Sequence, residues 1–85
     1  MYIVAIHDIS DPEKFWQRAQ ETAAAVPEGI KLHQVFPNTD GTRAACLWEA
    51  DRVEKVQKLL DDVVGQYAHN ETFEVQRGTA IGLPA

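Results

Sequence analysis

Three histidines, one cysteine and two tryptophans are the side chains of this 85-residue chain best suited to bind or transform another molecule. His7 closes the apolar run "MYIVAIH", His33 stands in "KLHQVF", and His69 precedes "NETF". Imidazole titrates near neutrality, so each of them could move a proton or, helped by Asp8, Glu49 or Glu71, ligate zinc, nickel or copper. Trp16, Cys46 and Trp48 suit a different chemistry. Aromatic and apolar walls with a few polar groups are the ordinary make-up of a small-molecule cleft. Each of these residues also has a plainer reading. Histidines at strand ends are commonly just solvated or hydrogen-bonded, a tryptophan on an apolar strand is commonly core, and Cys46 between Ala45 and Leu47 has no basic neighbour in sequence to activate its thiol.

Composition narrows the partners. With 45% hydrophobic and 25% charged residues, the chain reads as one folded domain over residues 1–85. A domain this small buries only about 60–65% of its unfolded surface, which makes self-association a natural way to bury more. The net charge of −5 opposes a nucleic-acid backbone, since phosphate binding rests on clustered Lys and Arg. A single cysteine excludes an intrachain disulfide and cysteine-rich zinc or redox motifs, and suits a reduced compartment. The short apolar start lacks a basic leader, and no stretch reaches membrane-spanning length. The expected setting is cytoplasmic, without a membrane partner.

The elements that must position these residues follow from periodicity. Residues 1–7 form a strand with Tyr2, Val4 and Ile6 on one face and Ile3 and Ala5 on the other, so both faces need cover. Ser10 as N-cap, Pro12 and Glu13 announce a helix whose apolar face is Phe15, Ala19, Ala23 and Val26, ended by "PEG" at 27–29. Residues 30–36 form a second strand, "PNTDG" a turn, and residues 43–50 a third strand antiparallel to the second. Asp51 and Glu54 form a second capping box ahead of the stripe Val53, Val56, Leu59, Leu60, Val63 and Val64, with Gly65 at its end. "TFEVQ" at 72–76 alternates as a last strand, with Phe73 and Val75 expected inward. Residues 76–85 form a tail without a period, in which Ile81 and Leu83 could pack on a neighbouring surface. "SDPEKFWQ" and "DRVEKVQK" echo each other at the two strand-to-helix junctions, a similarity too short to establish duplication.

This βαββαβ order resembles the ferredoxin-like arrangement, an α+β fold in which a four-stranded antiparallel sheet carries two helices on one face. The third strand is apolar on both sides, with Ala44, Cys46 and Trp48 against Ala45 and Leu47. A second copy packed sheet to sheet would cover the other face, so the chain resembles members of the dimeric α/β barrel superfamily, among them small nickel-binding proteins. Other users of the topology fit less well. The nucleic-acid-binding form needs aromatic and basic residues on its central strands, metallochaperones need Cys-x-x-Cys where this chain has "HDIS", and acylphosphatase-like enzymes need a phosphate-cradling loop with an arginine at that junction.

In that order the first strand lies between the third and fourth, antiparallel to both. His7 then falls near Arg43 and near His69, Asn70 and Glu71, and His33 is expected to lean toward the same rim. The leading expectation is a homodimer that binds a small ligand or a transition metal such as nickel or zinc near His7, with His7, His33 and His69 as ligands in the metal form. The alternative is a cofactor-free monooxygenase or isomerase, implied by the resemblance, with His7 as the acid-base group and Trp48, Cys46 and Trp16 lining the pocket. A structural or interaction module without a site is the third.

Overall fold

A computed structural model describes residues 1–84; residue 85, the last of the expected tail, lies outside the described residues. The elements are β1 (Tyr2–Ile9), α1 (Pro12–Ala24), β2 (Lys31–Pro37), β3 (Arg43–Glu49), α2 (Val53–Val64) and β4 (Ala68–Glu74). They form one four-stranded sheet in the order β2-β3-β1-β4, antiparallel at every pairing. This is the ferredoxin-like topology expected from the order of elements.

The period-two alternation of β1 sorts the core. Ile3, Ala5, His7 and Ile9 are buried on the helix side, where the register sets Ile3 opposite Trp48, Ala5 opposite Cys46 and His7 opposite Ala44. From α2, Val56, Leu60 and Val64 complete that core, one residue per turn of the helix. From α1, only Phe15 is buried. The helix layer is therefore well seated over β1 and β4 and lightly seated over β2 and β3.

Several boundaries differ from the sequence expectation, each for a local reason. α1 is capped by Asp11, whose carboxylate accepts the Lys14 amide at 3.2 Å, because Ser10 is already engaged: its amide and hydroxyl both donate to the Tyr67 carbonyl, at 2.8 and 3.1 Å. At α2 the cap position is Arg52 without a side-chain cap, since the Asp51 carboxylate is paired with Lys55 at 2.9 Å. β1 runs on to Ile9, and β4 begins at Ala68, four residues earlier than "TFEVQ" suggests. Phe73 faces away from the helices, opposite Val4, and is 53% exposed. Val75 lies just past the strand. On the helix side of β4 stands Thr72, whose hydroxyl donates to the Gln57 side chain at 2.6 Å, while the Gln57 amide donates to the Asn70 carbonyl at 2.9 Å. A polar residue of α2 thus covers this strand where hydrophobicity alone would place a phenylalanine. In the tail, Ile81 is 99% exposed and packs on nothing.

Burial makes unequal predictions for isoleucines of equal size. Ile3→Ala should lower unfolding free energy by about 2–5 kcal/mol, whereas Ile81→Ala should stay within about 0.5 kcal/mol of the parent. Urea unfolding of the two variants checks this, and equal effects would contradict the assigned core.

Candidate functional site

β1, β3 and the first turns of α1 converge on His7, a polar side chain only 1% exposed and seated among Phe15, Cys46 and Leu60 in the layer between sheet and helices. Its Nδ1 lies 2.7 Å from the Asn70 side-chain oxygen, because the β1–β4 register sets the two residues directly opposite each other. The Asn70 amide nitrogen points to the Ala68 carbonyl at 3.5 Å, which orients the amide so that its oxygen meets the imidazole. An oxygen there accepts, so Nδ1 carries the proton and donates. Burial holds the His7 pKa below its ordinary 6.5, opposed in part by the hydrogen bond to Asn70. At neutral pH the ring is uncharged, with Nε2 left as a base and without a protein partner among the described residues.

Beside His7 a cleft of about 160 Å³ opens between α1 and the sheet. Its floor is Cys46 and Trp48 of β3, its inner wall Phe15 with Leu60 and Val64 of α2, and its exposed rim Gln20 and Ala23 of α1 with Val35 of β2. The three residues expected to line a ligand pocket, Trp16, Cys46 and Trp48, do border this one cleft together with His7. Among the described residues, no Asp, Glu, Lys or Arg lines it. The Cys46 thiol is pushed up to about 12 by burial, so it stays protonated and is a poor nucleophile or metal ligand. The indole N–H of Trp48 is buried without a hydrogen-bond partner among the described residues.

Two local devices hold the cleft open, and neither is readable as chemistry in the sequence. The first is a β-bulge at His33: Leu32 pairs with Trp48, Gln34 with Leu47 and Val35 with Cys46. Residues 32 and 35 are an odd number apart and would face opposite sides of a regular strand, but the extra residue turns both toward α1, where both line the cleft. The second is a strap. The Trp16 indole N–H donates to the Gly41 carbonyl at 2.9 Å, tying the start of α1 to the turn between β2 and β3. Gly41 has φ +75°, and a Cβ there would stand 3.1 Å from the Trp16 indole nitrogen, so the position favours glycine on both counts. The rings of His7, Phe15 and Trp16 form a run, with centroids 5.3 and 4.9 Å apart.

The expected gathering of three histidines at one rim does not occur. Ala44, which pairs with His7, pairs on its other side with Pro37, four residues beyond His33, a separation of roughly 13 Å along the strand. His33 sits at the opposite end of the sheet, its Nε2 2.8 Å from Glu49, whose carboxyl that bond holds below the usual carboxylate range, and its ring 5.6 Å from that of Tyr2. His69 pairs with Asp8, so it projects from the face opposite His7, exposed and 3.8 Å from Glu71. Among the described residues, no group of three or more His, Cys, Asp or Glu is placed to hold a metal ion. Asn70, which fixes the tautomer of His7, was expected near it from the order of the strands, but without a role.

No family model matches this chain. No curated protein and no solved structure matches it either, so the site rests on its own geometry. Among the described residues, no helix is long and apolar enough to cross a membrane.

The lowered pKa of His7 fixes the sign of a pH effect. Below about pH 6.5 the unfolded chain binds a proton at this residue that the folded chain refuses. Folding stability should therefore fall as pH drops from 6.5 toward the folded pKa, by at most about 1.4 kcal/mol per pH unit, and should be insensitive to this group above 6.5. In His7→Gln that slope should be absent; urea unfolding between pH 7.5 and 5 with parallel slopes in both proteins would contradict a buried neutral imidazole.

Proposed function

We propose that this protein is a homodimer that binds one small, uncharged, mainly apolar molecule in the cleft beside His7. The observation that carries the reading is the cleft itself. Protein interiors are close-packed, and an apolar void of about 150 Å³ is large enough to take up benzene. A space of about 160 Å³ walled by Phe15, Trp48 and Leu60 is thus of single-ring size. The small-ligand form of the reading is favoured over the metal form, because the lining offers a single available imidazole and a thiol that stays protonated.

A catalytic version has one specific observation in its favour. His7 is a neutral imidazole held in one tautomer, with its basic nitrogen unpaired in an apolar surround. That is the equipment for taking a proton from a bound substrate, the step a cofactor-free monooxygenase or an isomerase would need. Binding comes first in either version.

The second copy in the proposal would cover the sheet face away from the helices. Val4 and Ile6 of β1 and Leu47 of β3 line its centre; Phe36 is 61% exposed at one side and Phe73 53% at the other. A contiguous apolar face of this kind suits association, and the same face on two copies is self-complementary about a twofold axis. The tail frames one end of it, where the Tyr2 hydroxyl donates to the Pro84 carbonyl at 3.4 Å and the Arg77 guanidinium stands 5.6 Å above the Tyr2 ring. A pair joined in this way would take the dimeric α/β barrel form of the ferredoxin-like fold. A cytoplasmic setting belongs to the same reading, with Cys46 as a free buried thiol.

Two experiments test these parts separately. Ala19 lines the cleft from α1, so Ala19→Phe should fill it and abolish uptake of toluene, followed by tryptophan fluorescence, while far-UV circular dichroism is retained. Undiminished toluene uptake by the folded variant would contradict the assignment. Sedimentation equilibrium should show a dimer for the parent and a monomer for Ile6→Asp; a monomeric parent would remove the sheet-to-sheet association and leave the cleft to be judged alone.

A further inference from the structure

We infer that the cleft selects neutral ligands that carry a hydroxyl, of the single-ring phenol type, by accepting that O–H at Nε2 of His7. The inference deepens the small-ligand reading of the same cleft and rests on it.

The polar atoms that a bound molecule could meet are few, and most are already committed. The Thr22 hydroxyl donates to the Arg18 carbonyl at 2.9 Å. The Trp16 indole N–H is spent on Gly41, and Gln20 stands exposed at the rim. Cys46 keeps its proton and is at best a weak donor. What is left is the imidazole of His7, whose Nδ1 is occupied by Asn70, and the buried indole N–H of Trp48, a donor to which the oxygen of a ligand hydroxyl can turn while its hydrogen meets the imidazole. Nε2 is therefore an acceptor with no protein donor among the described residues, and a polar group that a bound ligand shuts off from water without a partner is costly enough to discriminate between ligands. A ligand O–H satisfies it, and a methyl or methoxy group in the same place does not.

Charge is selected against as firmly. No ionised side chain lines the cleft among the described residues, so a carboxylate or an ammonium would give up its hydration without a counter-charge. Protonating His7 to create one works against the same burial that holds its pKa down. Size sets the last limit, since about 160 Å³ accommodates one ring rather than a fused system. Phenols ionise near pH 10 and so enter neutral at pH 7.5.

The test is a comparison of four probes on the parent protein at pH 7.5, by tryptophan fluorescence or calorimetry: phenol, anisole, toluene and benzoate. Phenol should bind at least about tenfold tighter than anisole, which keeps the oxygen but lacks the O–H, and tighter than toluene, with benzoate the weakest. In His7→Leu the preference for phenol over toluene should reverse. If toluene and anisole bind as well as phenol, the inference fails while the small-ligand reading of the cleft stands. If benzoate equals phenol, the selection for neutral molecules is wrong. If none of the four binds, the small-ligand reading falls and this inference falls with it.

Discussion

A hydrogen bond of 2.7 Å between His7 and Asn70 joins the centre of the sheet to its site. Burying an imidazole with 1% exposure is unfavourable unless its polar atoms are met, and the β1–β4 register meets one of them by setting Asn70 directly across. The consequences run in both directions. On the structural side, the bond explains why β4 must begin at Ala68, so that Asn70 lies in the ladder, and why an asparagine is tolerated at a buried position. On the chemical side, it fixes which nitrogen carries the proton, and with it the character of the cleft, in which a neutral base faces an apolar space.

The space exists because the two helices are seated unequally. α2 places Val56, Leu60 and Val64 fully into the core, whereas α1 contributes only Phe15 and is otherwise held by the Trp16–Gly41 strap and by packing along α2. A helix with one buried residue leaves apolar sheet surface beneath it incompletely filled, and the bulge at His33 adds Leu32 and Val35 to that surface. A chain selected only for stability has an easy remedy, since a larger residue at Ala19 or Ala23 would close the gap. The small side chains of Ala19 and Ala23, over a floor of Cys46 and Trp48, leave the cleft unfilled.

Much of the fold was legible in the sequence, because long-range order came through strong local signals. The two-sided apolar run of β1, the stripe on α2 and the order of elements led to the sheet order β2-β3-β1-β4, while Trp16, Cys46 and Trp48, which border the cleft, stood out by residue type. What stayed hidden depends on single-residue register. His33 was expected at the rim of His7, but the β2–β3 pairing places it at the far end. "AHNE" lacks strand periodicity because its inward residues are a small Ala68 and a polar Asn70, the latter justified only by His7 across the ladder. Phe73 was expected inward by hydrophobicity; pairing with Val4 puts it on the second face, which carries apolar residues of its own. Caps at Ser10 and Asp51 failed because both side chains had partners that only the tertiary fold supplies.

The most direct measurement of the central claim is the protonation state of the His7 ring nitrogens, read from long-range ¹H–¹⁵N spectra of uniformly labelled protein at pH 7.5, with Asn70→Ala as reference. The expected result is a neutral ring protonated at Nδ1 with a bare Nε2, and loss of that single tautomer when Asn70 is removed. A proton on Nε2, or an imidazolium at this pH, would contradict it and take away both the base and the acceptor on which the proposed site depends.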